Sequence, residues 1–157
     1  MEPQIQYVKT SDGVNIAHYA IGSGPALIWM SAGSVTNIED ERGIPYIRPL
    51  IEASARVFTL VRYDLRGCGL SDRDVKDLSL PAMMRDLEAV ADRTAPASFA
   101  LLGNGISASA AVAYAAAHPE RVSHLVFWGP LGTRMSNRST SCYSWRAPTG
   151  DSRPSLT

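Results

Sequence analysis

The sequence predicts an α/β fold: a mostly parallel, doubly wound sheet opened by an antiparallel N-terminal hairpin. Three observations predict it. Ala26-Leu27-Ile28-Trp29-Met30 is a continuous apolar run, the mark of a strand buried on both faces. Further strand-like runs, Val57–Tyr63, Ser98–Leu102 and Val122–Trp128, alternate with helix-like segments, and that order implies parallel strands joined by crossover helices. Ahead of them, two β-type runs flank Ser11-Asp12-Gly13, and Asp-Gly between such runs is a strong hairpin signal.

The elements follow in order. Ile5–Val8 and Val14–Ile21 form the hairpin, and the second run alternates apolar and polar at first, as an edge or half-exposed strand does. Gly22-Ser23-Gly24-Pro25 turns the chain into the buried strand 26–30. Ile47, Leu50 and Ile51 mark a short helix reaching toward Ala55, with Pro45 and Pro49 blurring its start. The strand 57–63 comes next. From Ser79 to Arg93 the helix signals are good: Ser79 as N-cap, Pro81 in the first turn, and Met83, Leu87, Val90 and Ala91 along one face. The strand 98–102 leads into an alanine-rich helix over 106–117, whose small residues suit close packing on a sheet, and then into the strand 122–128. These elements make up a core over 1–130, about six strands in all. Residues 131–157 mix Ser, Thr, Arg, Pro and Gly without period, so they are expected to be an irregular or disordered tail. Within that tail Cys142, Tyr143 and Trp145 are the residues able to pin it to the core.

A chain of 157 residues is one domain's worth and can bury a substantial core. Hydrophobic residues make up 45% and charged residues 19%, ordinary globular usage. Lys plus Arg and Asp plus Glu both total 15, and no basic stripe marks a nucleic-acid partner. The apolar runs fall short of the roughly 18 residues that span a bilayer. Met1-Glu2-Pro3-Gln4 lacks the layout of a signal peptide, so a cytoplasmic location is the expectation. Cys68 and Cys142 form no CxxC pair; no metal and no cofactor is expected.

Tyr63-Asp64-Leu65-Arg66-Gly67-Cys68-Gly69-Leu70-Ser71-Asp72 resembles the turn after the fourth strand in α/β-hydrolases. Gly67 and Gly69 permit a tight loop there, and Asp64 and Arg66 can pin it through charge-assisted hydrogen bonds. Thr10–Gly13, Ile21–Pro25 and His118–Val126 fit the same family, so the resemblance runs from about Gln4 to about Pro130. It is similar to bacterial hydrolase-like domains that are sometimes fused to a nucleotide cyclase or a helix-turn-helix regulator. The resemblance implies a hydrolase frame, here truncated after about six strands, with the lid and last two strands absent.

That family's nucleophile sits in a G-x-S-x-G elbow between strand and helix. Counting forward from Gly103 puts the serine position at Gly105; in relatives whose helix closes with a pattern like Tyr114–Pro119 the serine lies thirteen residues before the histidine, which from His118 implies Gly105 again. Glycine carries no nucleophile, so the resemblance implies no catalytic residue at that point. A rival alignment reads Gly105-Ile106-Ser107-Ala108-Ser109 as the elbow, with Ser107 as nucleophile and two residues inserted after Gly103. It shortens the helix by about half a turn. Otherwise Ser107 is a polar residue of the first helical turn, meeting free N–H groups.

The oxyanion hole implied by the resemblance uses the backbone N–H of Ile106 and one from the loop Ser31-Ala32-Gly33-Ser34, with Gly33 as donor. Backbone donors survive side-chain substitution, so a pocket for a small carbonyl or carboxylate ligand can persist without catalysis. His18, His118 and His124 are expected to be structural, and neither Asp64 nor Asp72 matches the family's catalytic acid. Three readings follow: a truncated, inactive hydrolase homologue; a small-molecule-binding regulatory module; and an acyl hydrolase using Ser107 with acid and base from a partner chain. The third includes self-association through an open sheet edge near Val122–Trp128.

Overall fold

A computed structural model describes residues 3–31, 37–95 and 97–128, together with the backbone of 142–146. One sheet organises all of it. The strands are β1 (Gln6–Lys9), β2 (Asn15–Ile21), β3 (Ala26–Met30), β4 (Thr59–Tyr63), β5 (Phe99–Asn104), β6 (Val122–Trp128) and β7 (Cys142–Arg146). Their spatial order is β1-β2-β4-β3-β5-β6-β7. The central pairs β4/β3, β3/β5 and β5/β6 are parallel, whereas β1/β2, β2/β4 and β6/β7 are antiparallel.

The expected α/β architecture and hairpin are present, with two corrections. β2 is not an edge strand. It lies between β1 and β4, and Ile16 through Tyr19 are buried. Its early apolar–polar alternation reflects Asn15 at its half-buried start and His18, a polar residue taken into the interior. Residues 142–146 do not belong to an irregular tail: they pair antiparallel with β6, from His124 opposite Arg146 to Trp128 opposite Cys142. An unpaired β6 edge would present a row of free N–H and C=O groups, which a β-type segment satisfies. Cys-Tyr-Ser-Trp-Arg alternates aromatic with polar or small residues, a two-residue period too short to stand out beside its neighbours. The β6 edge expected to lie open is therefore occupied. The rest of 131–157 lies outside the described residues.

Helices cover both faces. α1 (Arg48–Ala55) lies on one side, where its Ile51 packs with Leu27, Trp29 and Leu60. α2 (Leu80–Thr94) and α3 (Ser107–Ala117) lie on the other, where Leu87, Val90, Ala111 and Tyr114 pack on Ile28, Val61 and Leu101. Ser79 caps α2 as the sequence suggests, its hydroxyl accepting from the Ala82 N–H at 3.4 Å.

Two buried arginines lock the loops to this frame. Arg66 is buried between Asp86 of α2, at 2.8 Å, and Asp12 of the hairpin turn, at 2.8 Å. Arg62 of β4 pairs with Glu41, in a 3-10 turn (Asp40–Gly43) that the sequence did not announce. Arg62 also donates to the Trp29 carbonyl at 2.6 Å and lies 4.5 Å from the Trp29 ring centroid, so its charge is satisfied on several sides.

Candidate functional site

β3 is followed through α1 by β4 on one side, and β4 through α2 by β5 on the other. The direction of winding therefore reverses at β3. In open α/β sheets the crevice beyond the carboxyl ends of the strands at such a point is where ligands bind. At that point β5 ends in Asn104 and hands the chain to α3.

β5 reaches α3 through Asn104-Gly105-Ile106, a turn too sharp for ordinary backbone. Gly105 adopts φ +59°, the left-handed region that side chains disfavour. Two residues earlier, a Cβ added to Gly103 would lie 2.8 Å from Ala108 Cα and 2.9 Å from Ala111 Cβ, so only glycine lets α3 pack so closely on β5. The turn thus carries glycine at both 103 and 105, one for close packing and one for its left-handed φ, and Ser107 opens α3.

Ser107 is fully buried. Its hydroxyl donates to the Asn104 carbonyl at 2.9 Å and accepts from the Asn104 N–H at 3.0 Å. Both functions of the oxygen are spent tying the last residue of β5 to the first of α3. The rival alignment required Ser107 at the tip, and the left-handed residue is Gly105 instead. Asn104, unmarked in the sequence, is the missed partner; a serine three residues after a strand end would have been the signal.

Ile106 precedes α3 with its side chain partly exposed, and its N–H has no acceptor among the described residues. Gly33, the second expected donor, lies outside the described residues. On the α1 side of the sheet, Trp29 and Trp128 meet at a tilt, with ring centroids 5.6 Å apart, in the cluster that includes Ile51.

None of the described histidines is hydrogen-bonded to the elbow. His18 is buried in β2 with neither ring nitrogen partnered among the described residues, and burial holds its pKa below the usual value. His118, at the end of α3, faces Glu88 at 3.4 Å, and His124 contacts Ser123. Asp64 is structural: buried, it accepts from the N–H groups of Ile38 and Leu70 at 3.0 and 2.9 Å. Burial nevertheless pushes its pKa up to about 6, outweighing those two bonds. Among the described residues no cluster of His, Cys, Asp or Glu could hold a metal ion. No helix among them is long and apolar enough to cross a membrane.

A family model for the alpha/beta hydrolase fold matches residues 38–156, most of the chain. The chain belongs to the α/β-hydrolase fold family. Within this family it is 32% identical over 108 residues to a protein of Azorhizobium caulinodans named as a carbamate hydrolase, RutD, covering 69% of this chain and 38% of the relative. It is 26% identical over 140 residues to a pyrrolizixenacetamide deacetylase of Xenorhabdus hominickii, covering 88% of this chain and 50% of the relative. Among solved structures, an alpha/beta hydrolase from Sphaerobacter thermophilus superposes with a TM-score of 0.64 at 29% identity, over 78% of this chain and 44% of that one. The chain spans half or less of the length of these relatives.

Proposed function

We propose that this α/β-hydrolase-family chain is a binding module that keeps the family's crevice and lacks its serine nucleophile. One observation carries the proposal: the left-handed tip of the turn is a glycine, while the hydroxyl two residues on, that of Ser107, is buried and doubly hydrogen-bonded. Acyl transfer by this family needs an exposed hydroxyl held at that tip beside a base. The Ile106 N–H, with one from the loop carrying Gly33, would receive the oxygen of a small carboxylate or carbonyl compound. The relatives' names, a carbamate hydrolase and a deacetylase, are consistent with a ligand bearing a carbonyl.

The test pairs thermal shift with turnover. A panel of small carboxylates, esters and lactones is expected to raise Tm. A ligand at a hundred times its Kd adds about 2.7 kcal/mol. No member of the panel should be hydrolysed above the buffer rate. Hydrolysis that vanishes in Ser107→Ala overturns the proposal, and so does a panel that leaves Tm unmoved.

A further inference from the structure

Away from the elbow, a groove of about 390 Å³ runs between α1, the 3-10 turn and the end of β2. Three arginines line it. Arg48 and Arg56 lie eight residues apart, hence on one face of α1 and the residue that follows it, and Arg42 faces them from the turn. Glu52, midway between the two helix arginines, is the only carboxylate among the residues lining it. Arg48 donates to Glu52 at 2.8 Å. That hydrogen bond, and then the charges of Arg48, Arg56 and Arg42, hold the Glu52 carboxyl below its ordinary range. Three guanidinium groups against one carboxylate leave two positive charges unneutralised within the groove. Neither Arg42 nor Arg56 has an ion pair among the described residues.

The supports are rigid. The residue before Arg42 is Glu41, locked into the buried pair with Arg62 of β4. At the other end, Gly22 takes φ +86°, and a Cβ there would overlap the Ala55 and Phe58 carbonyl oxygens, so the end of α1 is seated directly on the end of β2. Ile21, Ile51 and Ala55 make the floor apolar. Several guanidinium forks around an apolar floor match an anion with several equivalent oxygens better than they match a single carboxylate. The volume falls within the range of small-molecule sites.

We propose that this groove binds a phosphate group, free or as the monoester of a small organic molecule, between Arg42 and the Arg48–Arg56 face of α1. It is independent of the reading of the elbow.

The probe is inorganic phosphate, titrated into the full chain at constant ionic strength while the Nε–Hε resonances of the arginines are followed by NMR. Resonances of Arg42, Arg48 and Arg56 are expected to shift along one saturating curve, with Arg73 unmoved. Acetate should produce a much weaker response at the same concentration. Glucose 6-phosphate in place of phosphate reports whether an organic body adds affinity, and weaker binding than phosphate would restrict the site to the free ion. Arg42→Gln with Arg56→Gln should weaken phosphate at least tenfold, and Glu52→Gln, which removes the competing anion, should tighten it. Non-saturating shifts, equal response to acetate, or shifts confined to the amides of Gly105 and Ile106 would each overturn the proposal, as would unaltered binding in a folded double variant.

Discussion

Ser107→Ala separates a structural serine from a chemical one. The wild-type hydroxyl makes two short hydrogen bonds to the backbone of Asn104, one in each direction, from a fully buried position. A neutral hydrogen bond contributes about 1 kcal/mol net, and more when its loss strands a buried partner. Asn104 is only half-buried, so water recovers part of that cost. Alanine also removes little volume and suits a helix, so no cavity adds to the loss. The expected destabilisation is about 1–2 kcal/mol, read as a lower urea midpoint at unchanged m. In a chain of this size each kcal/mol lowers Tm by about 2–4 °C. A midpoint equal to wild type would refute this, since it would mean that the oxygen is not held in those bonds and is free for another role.

Other perturbations test the frame around the elbow. Gly103→Ala should cost about 2 kcal/mol or more in urea titration, because its Cβ meets the backbone and side chains of α3, which cannot give way without moving the helix. Glu41→Gln strips the buried Arg62 of its anion and should cost about 3–5 kcal/mol, much of it recovered when Arg62→Met is added. His18 gives a pH signature: its folded pKa lies below 6.5, so the unfolded chain takes up the proton first as pH falls. Its contribution is therefore present above pH 6.5 and lost as pH drops through the lowered value. His18→Phe should remove that loss, so its advantage over wild type grows from pH 7.5 to pH 5.5 in paired urea titrations.

Most of the frame was legible because burial and sequence period agree. Ala26–Met30 is apolar throughout and lies at the centre of the sheet, and Ser79 caps α2 because a short hydroxyl at that position satisfies a free N–H. The sharp turn after β5 was legible as well: the glycine that the counts singled out, Gly105, is the one with a left-handed φ. Pairings distant in sequence were not. Glu41 is an ordinary acidic residue until β4 brings Arg62 beside it, twenty-one positions away. Arg42, Arg48 and Arg56 form no run in sequence, and become a groove only when the 3-10 turn folds back along α1. β7 escaped notice because its pairing depends on the edge offered by β6, not on its own composition. The polar His18 made β2 resemble an edge strand, although its neighbours on both sides are strands.

The most direct test of the central claim is intact-mass analysis of the purified chain after incubation with a fluorophosphonate, a reagent that captures activated serines. One species at the unmodified mass is expected. A stoichiometric adduct mapped to Ser107 would contradict it.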